Sequence, residues 1–167
     1  MELLHKDLTE KIIGASFEVH KFLGNGFQEV IYQRALSWEF TQVKLNFQRE
    51  IEQEIFYKQL RDPIGKRRAD FVIDRKVLVE IKAVINLEDV HLAQVLNYLK
   101  AYQLKVGLLI NFGNRSLQFK LCKFQLKSIP WFQSKRVPNF EINIYCFTTI
   151  YVTSKNDNYG TKTTNHH

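Results

Sequence analysis

Three charges set inside apolar runs carry the chemistry of this chain: Asp70, Glu80 and Lys82. They lie in Arg67-Arg68-Ala69-Asp70-Phe71-Val72-Ile73 and Val77-Leu78-Val79-Glu80-Ile81-Lys82, separated by Asp74-Arg75-Lys76. Two carboxylates are hard oxygen donors suited to a divalent cation. An ammonium beside them can orient water or steady charge developing on a phosphate. Charges buried on a strand are costly unless they pair, bind a metal or reach water. The bland reading is an edge strand whose wet face carries Glu80 and Lys82; the sharper one is a metal site.

The elements that position these groups follow from residue type. Both runs are rich in β-branched and aromatic residues around a short charged break, which predicts a hairpin. Alternation puts Leu78, Glu80 and Lys82 on one face and Val79, Ile81 and Ala83 on the other. Opposed residues of paired strands share a face, so pairing Ile73 with Val77 across a three-residue loop sets Asp70 opposite Glu80. A two-residue loop would send the carboxylates to opposite faces.

Around the hairpin, Leu4, Leu8, Ile12, Ala15, Val19 and Phe22 recur at helical spacing, and Gly24 follows as a stop. After Asn25-Gly26 a second helix is predicted from Phe27 to Thr41, with Ile31, Ala35 and Trp38 as its apolar stripe. Val43, Leu45 and Phe47 alternate as one strand, Glu54 to Lys58 form another, and Asp62-Pro63-Ile64-Gly65 is a turn. Past Ala83-Val84 the period returns to helical, with Asp89 as N-cap and Leu92, Val95, Leu96 and Leu99 facing the core. His91, Gln94 and Tyr98 share another face of that helix. Val106 to Asn111 reads as a buried strand, and Leu117, Phe119 and Leu121 as an edge strand.

The chain has 167 residues, 45% of them hydrophobic with thirteen Phe, which predicts a folded core and excludes disorder as the ground state. No apolar run nears the roughly 20 residues of a membrane helix, and Met1 to Asp7 lacks a signal-peptide pattern. Cys122 and Cys146 form no CxxC, so a reduced, cytoplasmic protein without membrane contact is expected. Net charge is +7, of which +3 falls in residues 1–122 and +4 in 123–167. Lys66, Arg67 and Arg68, just before Asp70, either grip phosphates or line a solvated turn. Trp131, Phe132, Phe140, Tyr145, Phe147 and Tyr151 make the last part aromatic. Ile142–Val152 is a candidate strand run, and Lys155–His167 a disordered end with His166-His167 as a tag remnant.

Asp70 followed by Glu80-Ile81-Lys82 resembles the core of the PD-(D/E)xK nuclease superfamily, with Ala69 where that motif often has proline. Gly26-Phe27-Gln28-Glu29-Val30-Ile31-Tyr32 resembles the signature of its bacterial GxxExxY family. Leu8 to Ala15, His91 to Lys100 and Gly107 to Gly113 are similar to further pieces of that family. The resemblance implies an α/β, restriction-endonuclease-like core over residues 1–122, a central mixed β-sheet flanked by helices, with 123–167 as an extension. It implies a Mg²⁺-dependent nuclease, with Mn²⁺ as substitute. Asp70, Glu80 and the backbone carbonyl of Ile81 would hold the metal, and Glu29 would reach it directly or through water. Lys82 would position water, and Gln94 matches a helix glutamine beside the catalytic lysine. Nucleic acid is the implied partner, DNA ahead of RNA, and a homodimer is left open. The reading from another class is a binding module, for nucleic acid or a protein partner, that keeps the fold without the activity.

Overall fold

The computed structural model describes the backbone of residues 4–127 and 141–152, with side chains through Phe124. Three helices and six strands alternate as α1 (Lys6–Leu23), α2 (Glu29–Gln42), β1 (Phe47–Ile55), β2 (Gly65–Ile73), β3 (Val77–Lys82), α3 (Asp89–Tyr102), β4 (Val106–Asn111), β5 (Leu117–Lys127) and β6 (Glu141–Val152). The strands form one sheet in sequence order. All neighbours are antiparallel except β3 and β4, which are parallel and joined across α3. This is the predicted mixed sheet flanked by helices. Among the described residues no helix is long and apolar enough to cross a membrane.

Each face of the sheet has its own core. Ile12, Ala15 and Val19 of α1 and Tyr32, Leu36 and Phe40 of α2 pack on Phe71, Ile73, Val77, Val79, Ile81, Val106, Leu108 and Ile110. Val95 and Leu99 of α3 cover Ala69, Leu78, Leu109, Cys122 and Phe124 on the other face. β3 and β4 are buried throughout, as expected of strands covered on both sides.

The turn between α1 and α2 depends on backbone that few residues adopt. Gly24 and Gly26 have φ of 69° and 104°, where a Cβ is disfavoured. Tyr32, fully buried, clamps this turn: its hydroxyl donates to Gly24 O at 2.9 Å and accepts Phe27 N–H at 3.2 Å. Its ring stacks on Phe112 at 4.6 Å. Tyr32 thus serves as a packing and hydrogen-bonding residue.

Several local expectations need correction. The inward stripe of α2 is Tyr32, Gln33, Leu36 and Phe40, one position on from the predicted stripe, and Trp38 is 66% exposed. Phe22 is 89% exposed, because Leu23 takes the core-facing position at the end of α1. The two strands expected on either side of Ile51 are one, β1, with its residues alternating half-buried and exposed. Glu88, not Asp89, is the N-cap of α3, and its N–H is accepted by His91 Nδ1 at 2.9 Å. β5 is internal, because β6 pairs along it; the Ile142–Val152 run does supply a strand. The expected disorder of Lys155–His167, and Trp131 and Phe132, lie outside the described residues.

Candidate metal and catalytic centre

The β2–β3 register is Ile73↔Val77, Val72↔Leu78 and Phe71↔Val79, across the loop Asp74-Arg75-Lys76. That is the predicted three-residue loop, and it sets Asp70 level with Glu80. The ladder stops there. Instead of a next backbone pair, Asp70 Oδ2 accepts the N–H of Ile81 at 2.7 Å. The β1–β2 ladder is interrupted at the same level: Arg49↔Phe71 and Ile51↔Ala69 pair, while Glu50, at φ 53°, and Asp70 do not. Alternation breaks with it, since Phe71 packs into the α1/α2 core and Ala69 into the α3 core. Asp70 therefore sits at a fork where the strands part.

Each acid is held by a glutamine from a different helix layer. Gln33 Nε2 on α2 donates to Asp70 Oδ1 at 3.1 Å, and Arg49 Nη2 donates to Gln33 Oε1 at 3.1 Å, which fixes the carboxamide the right way round. On α3, Gln94 Nε2 donates to Glu80 Oε1 at 2.7 Å and to the Tyr98 hydroxyl at 3.1 Å. Lys82 Nζ reaches the same Glu80 Oε1 at 3.1 Å. Glu80 Oε2 is left buried with no hydrogen-bond partner among the described residues. Glu80 and Lys82 are only 3% and 9% exposed.

Burial pushes the Glu80 carboxyl up to about 8, and the nearby Asp70 charge adds to the rise; Lys82 opposes it. Asp70 is raised as well, first by burial, with the Ile81 N–H and Lys82 pulling it down and Glu29 pushing it up. A buried and a half-buried carboxylate that resist ionising together are what a cation would relieve.

Glu29 stands at the start of α2, exposed, with Oε1 accepting Ala83 N–H at 3.4 Å just beyond Lys82. Its charge bears on both acids. From the other side Asn111 Oδ1 accepts the N–H of Val84 at 3.0 Å, and Asn111 Nδ2 donates to Val84 O at 2.8 Å. Gly113 lies so close that a Cβ would come within 2.4 Å of the Ala83–Val84 backbone. The chain leaving Lys82 is thus fixed by three elements. The side chain of Ile81 belongs to the α1/α2 core, and its N–H serves Asp70.

The basic triplet divides. Lys66 pairs with Glu52 at 3.2 Å, and Arg68 with Glu50 at 3.6 Å. Arg67 donates to Asn97 O at 2.6 Å and lies over the Tyr98 ring. A cleft of about 570 Å³ is lined by Phe27, Glu29, Gln33, Glu50, Arg68 and Asp70 among others, so Arg68 alone of the three faces it. Sequence reasoning missed Gln33 and Arg49. The one sequence signal for Gln33 is its place four residues after Glu29, one turn on along α2; its burial is not marked by residue type.

Among the described residues no three His, Cys, Asp or Glu side chains gather as a ready metal cage. The residues still fit a hard divalent cation of few protein ligands. Asp70 and Glu80 are level, the Asp70 charge opposes ionisation of Glu80, and one Glu80 oxygen lacks any donor among the described residues. Mg²⁺ binds in this way, through one or two carboxylates with water completing its shell.

A family model described as the PD-(D/E)XK nuclease superfamily matches residues 6–122, from the first turn of α1 into β5. No curated protein and no solved structure matches the chain.

Proposed function

We propose, since this chain belongs to the PD-(D/E)XK nuclease superfamily, that it is a Mg²⁺-dependent nuclease of the GxxExxY branch, hydrolysing phosphodiester bonds of nucleic acid. The observation that carries the reading is the fork itself. Asp70, Glu80, Lys82 and Gln94 come together there, and among the described residues a buried Glu80 oxygen lacks a donor. Asp70 and Glu80 would hold Mg²⁺, or Mn²⁺ in its place, with the Ile81 carbonyl and Glu29 completing the protein side. When bound, the cation supplies positive charge to the phosphoryl oxygens and acidity to the attacking water.

The chain's own residues do the rest. Lys82 directs an ammonium N–H at the attacking water or at the oxygen that gains charge, as its present hold on Glu80 Oε1 allows. Gln94 keeps Glu80 turned so that Oε2 faces away from both donors. Gln33 and the Ile81 N–H fix Asp70 at both oxygens. Arg68, on the cleft wall, lies where a neighbouring phosphate would be gripped. In the reaction a water oxygen bonds to phosphorus, a P–O ester bond breaks, and the leaving oxygen takes a proton. Glu29, Asp70, Glu80 and Lys82 are all intact, which favours the enzyme over a binding module that has lost its chemistry.

The test is calorimetric titration with Mg²⁺ and Mn²⁺, wild type against Asp70→Asn, beside cleavage of single- and double-stranded DNA and RNA. Metal binding lost in the variant, together with cleavage by wild type alone, supports the reading. A wild type that binds nucleic acid but cuts none of the four substrates overturns it.

A further inference from the structure

β1 and β2 pair from Phe47↔Ile73 out to Ile55↔Gly65, but β3 accompanies β2 only over Phe71–Ile73. Beyond Asp70 the sheet narrows to a two-stranded ribbon. Its root is fastened to α3, since the Tyr102 hydroxyl accepts the N–H of Ala69 and donates to Ile51 O, and Arg67 ties to Asn97. Among the described residues its tip makes no such tie. Phe56, Tyr57, Leu60 and Ile64 are between 52% and 59% exposed, and none belongs to either core. Lys58 Nζ stands 5.1 Å from the Tyr57 ring centre, and Arg61 follows on the same loop.

We propose that this ribbon is an arm that enters the major groove of duplex DNA while the Asp70–Glu80 fork faces a backbone phosphate of the same duplex. The proposal deepens the nuclease reading and rests on it. A groove about 12 Å wide admits a two-stranded β-ribbon, whereas the A-form RNA groove is too narrow for side chains to read. From Asp70 to Gly65 is five residues at roughly 3.3 Å each, or about 17 Å, close to half a turn of B-form DNA. A phosphate at the fork and a groove under the tip therefore belong to one duplex. The tip chemistry fits that surface. Apolar and aromatic groups meet base edges and thymine methyls, and Lys58 and Arg61 meet phosphates. Along the flanks, Lys66–Glu52 and Arg68–Glu50 cancel across the strands, while the tip carries Lys58 and Arg61 against Asp62 alone.

The test uses full-length protein without divalent metal, so that nothing is cut, and measures anisotropy of labelled duplex DNA and duplex RNA of one length. Two double variants are compared with wild type: Phe56→Ser with Tyr57→Ser, and Lys58→Glu with Arg61→Glu. All four positions are exposed, so both variants should melt as wild type does. Duplex DNA affinity should fall about 10-fold or more in each, and the charge variant should lose about 2 from its salt slope. Duplex RNA binding should change less. Mg²⁺ affinity of the two tip variants by calorimetry should stay at the wild-type value, so the arm and the nuclease reading fail separately. Unchanged duplex DNA affinity in both tip variants overturns the proposal. So does a change from dimer to monomer in sedimentation with DNA affinity intact, which would make the tip a contact between copies of this chain.

Discussion

The carboxylate of Asp70 takes the N–H of Ile81 at 2.7 Å, in the place where the β2–β3 ladder would have continued. One side chain thus does two things: it ends a pair of strands and is held at the gap it makes. Both oxygens are occupied by donors, Gln33 on one and Ile81 on the other. Asp70→Asn can accept only one of them and turns an N–H toward the other. This variant should lose ~1–3 kcal/mol of stability in urea unfolding, apart from any loss of metal binding.

Glu80 gives the protein a pH dependence of definite sign. Its carboxyl rises from 4.5 to about 8 on folding, so the folded state binds the proton more tightly than the unfolded chain. The stabilisation is fully present below about pH 4.5 and is lost as pH climbs through about 8. At ~1.4 kcal/mol per unit, the change is on the order of a few kcal/mol. Metal-free protein should therefore melt higher at pH 5.5 than at pH 8.5, and millimolar Mg²⁺ should narrow or reverse the gap. Glu80→Gln should flatten the profile; a profile as steep as wild type would remove Glu80 as its source.

Lys82 separates chemistry from structure. If it orients the nucleophile, Lys82→Ala lowers cleavage by ~10²-fold or more, while Mg²⁺ still raises the melting temperature. A purely structural lysine would instead lose stability and activity together, because Glu80 and Asp70 would be left unbalanced. Comparing single-turnover cleavage with the Mg²⁺-dependent melting shift distinguishes the two.

Gln33 holds Asp70, the proposed metal ligand, from α2. Gln33→Leu should weaken Mg²⁺ binding by ~10-fold in calorimetry, in the range found for groups that orient ligands. Arg49→Met should give a smaller loss, since it frees the carboxamide to turn without removing it.

Gly113 offers a purely steric test. A Cβ there would meet the Ala83–Val84 backbone at 2.4 Å, and backbone cannot swing aside as a side-chain tip can. Gly113→Ala should cost ~1–3 kcal/mol in chemical denaturation and weaken Mg²⁺ binding, because Lys82 and the Glu29 contact lie directly before that segment.

The hairpin was legible because its two runs alternate cleanly and a three-residue loop allows only one register to bring Asp70 level with Glu80. Gln94 was legible through the resemblance to a family glutamine; its face on α3, shared with Tyr98, meets Glu80. The inward face of α2 was not, because Tyr32 and Gln33 are polar by type and are buried through their hydrogen bonds, while Ile31 and Trp38 look like core and face solvent. For the same reason Gln33 went unseen as a partner of Asp70. β1 was split in two because its glutamates at 50, 52 and 54 interrupt any apolar reading, although they only mark its wet side. The end of β5 as an inner strand depended on β6, which no local pattern in β5 could announce.

Gln33 reaches Asp70 from the α1/α2 layer, and Gln94 reaches Glu80 from the α3 layer. The two acids are thereby leashed to opposite slabs of the molecule. Any sliding of one slab against the other must alter the spacing of the carboxylates, and any cation bridging them must resist that slide. At the proposed centre, such a cation would act as a rivet through the sheet.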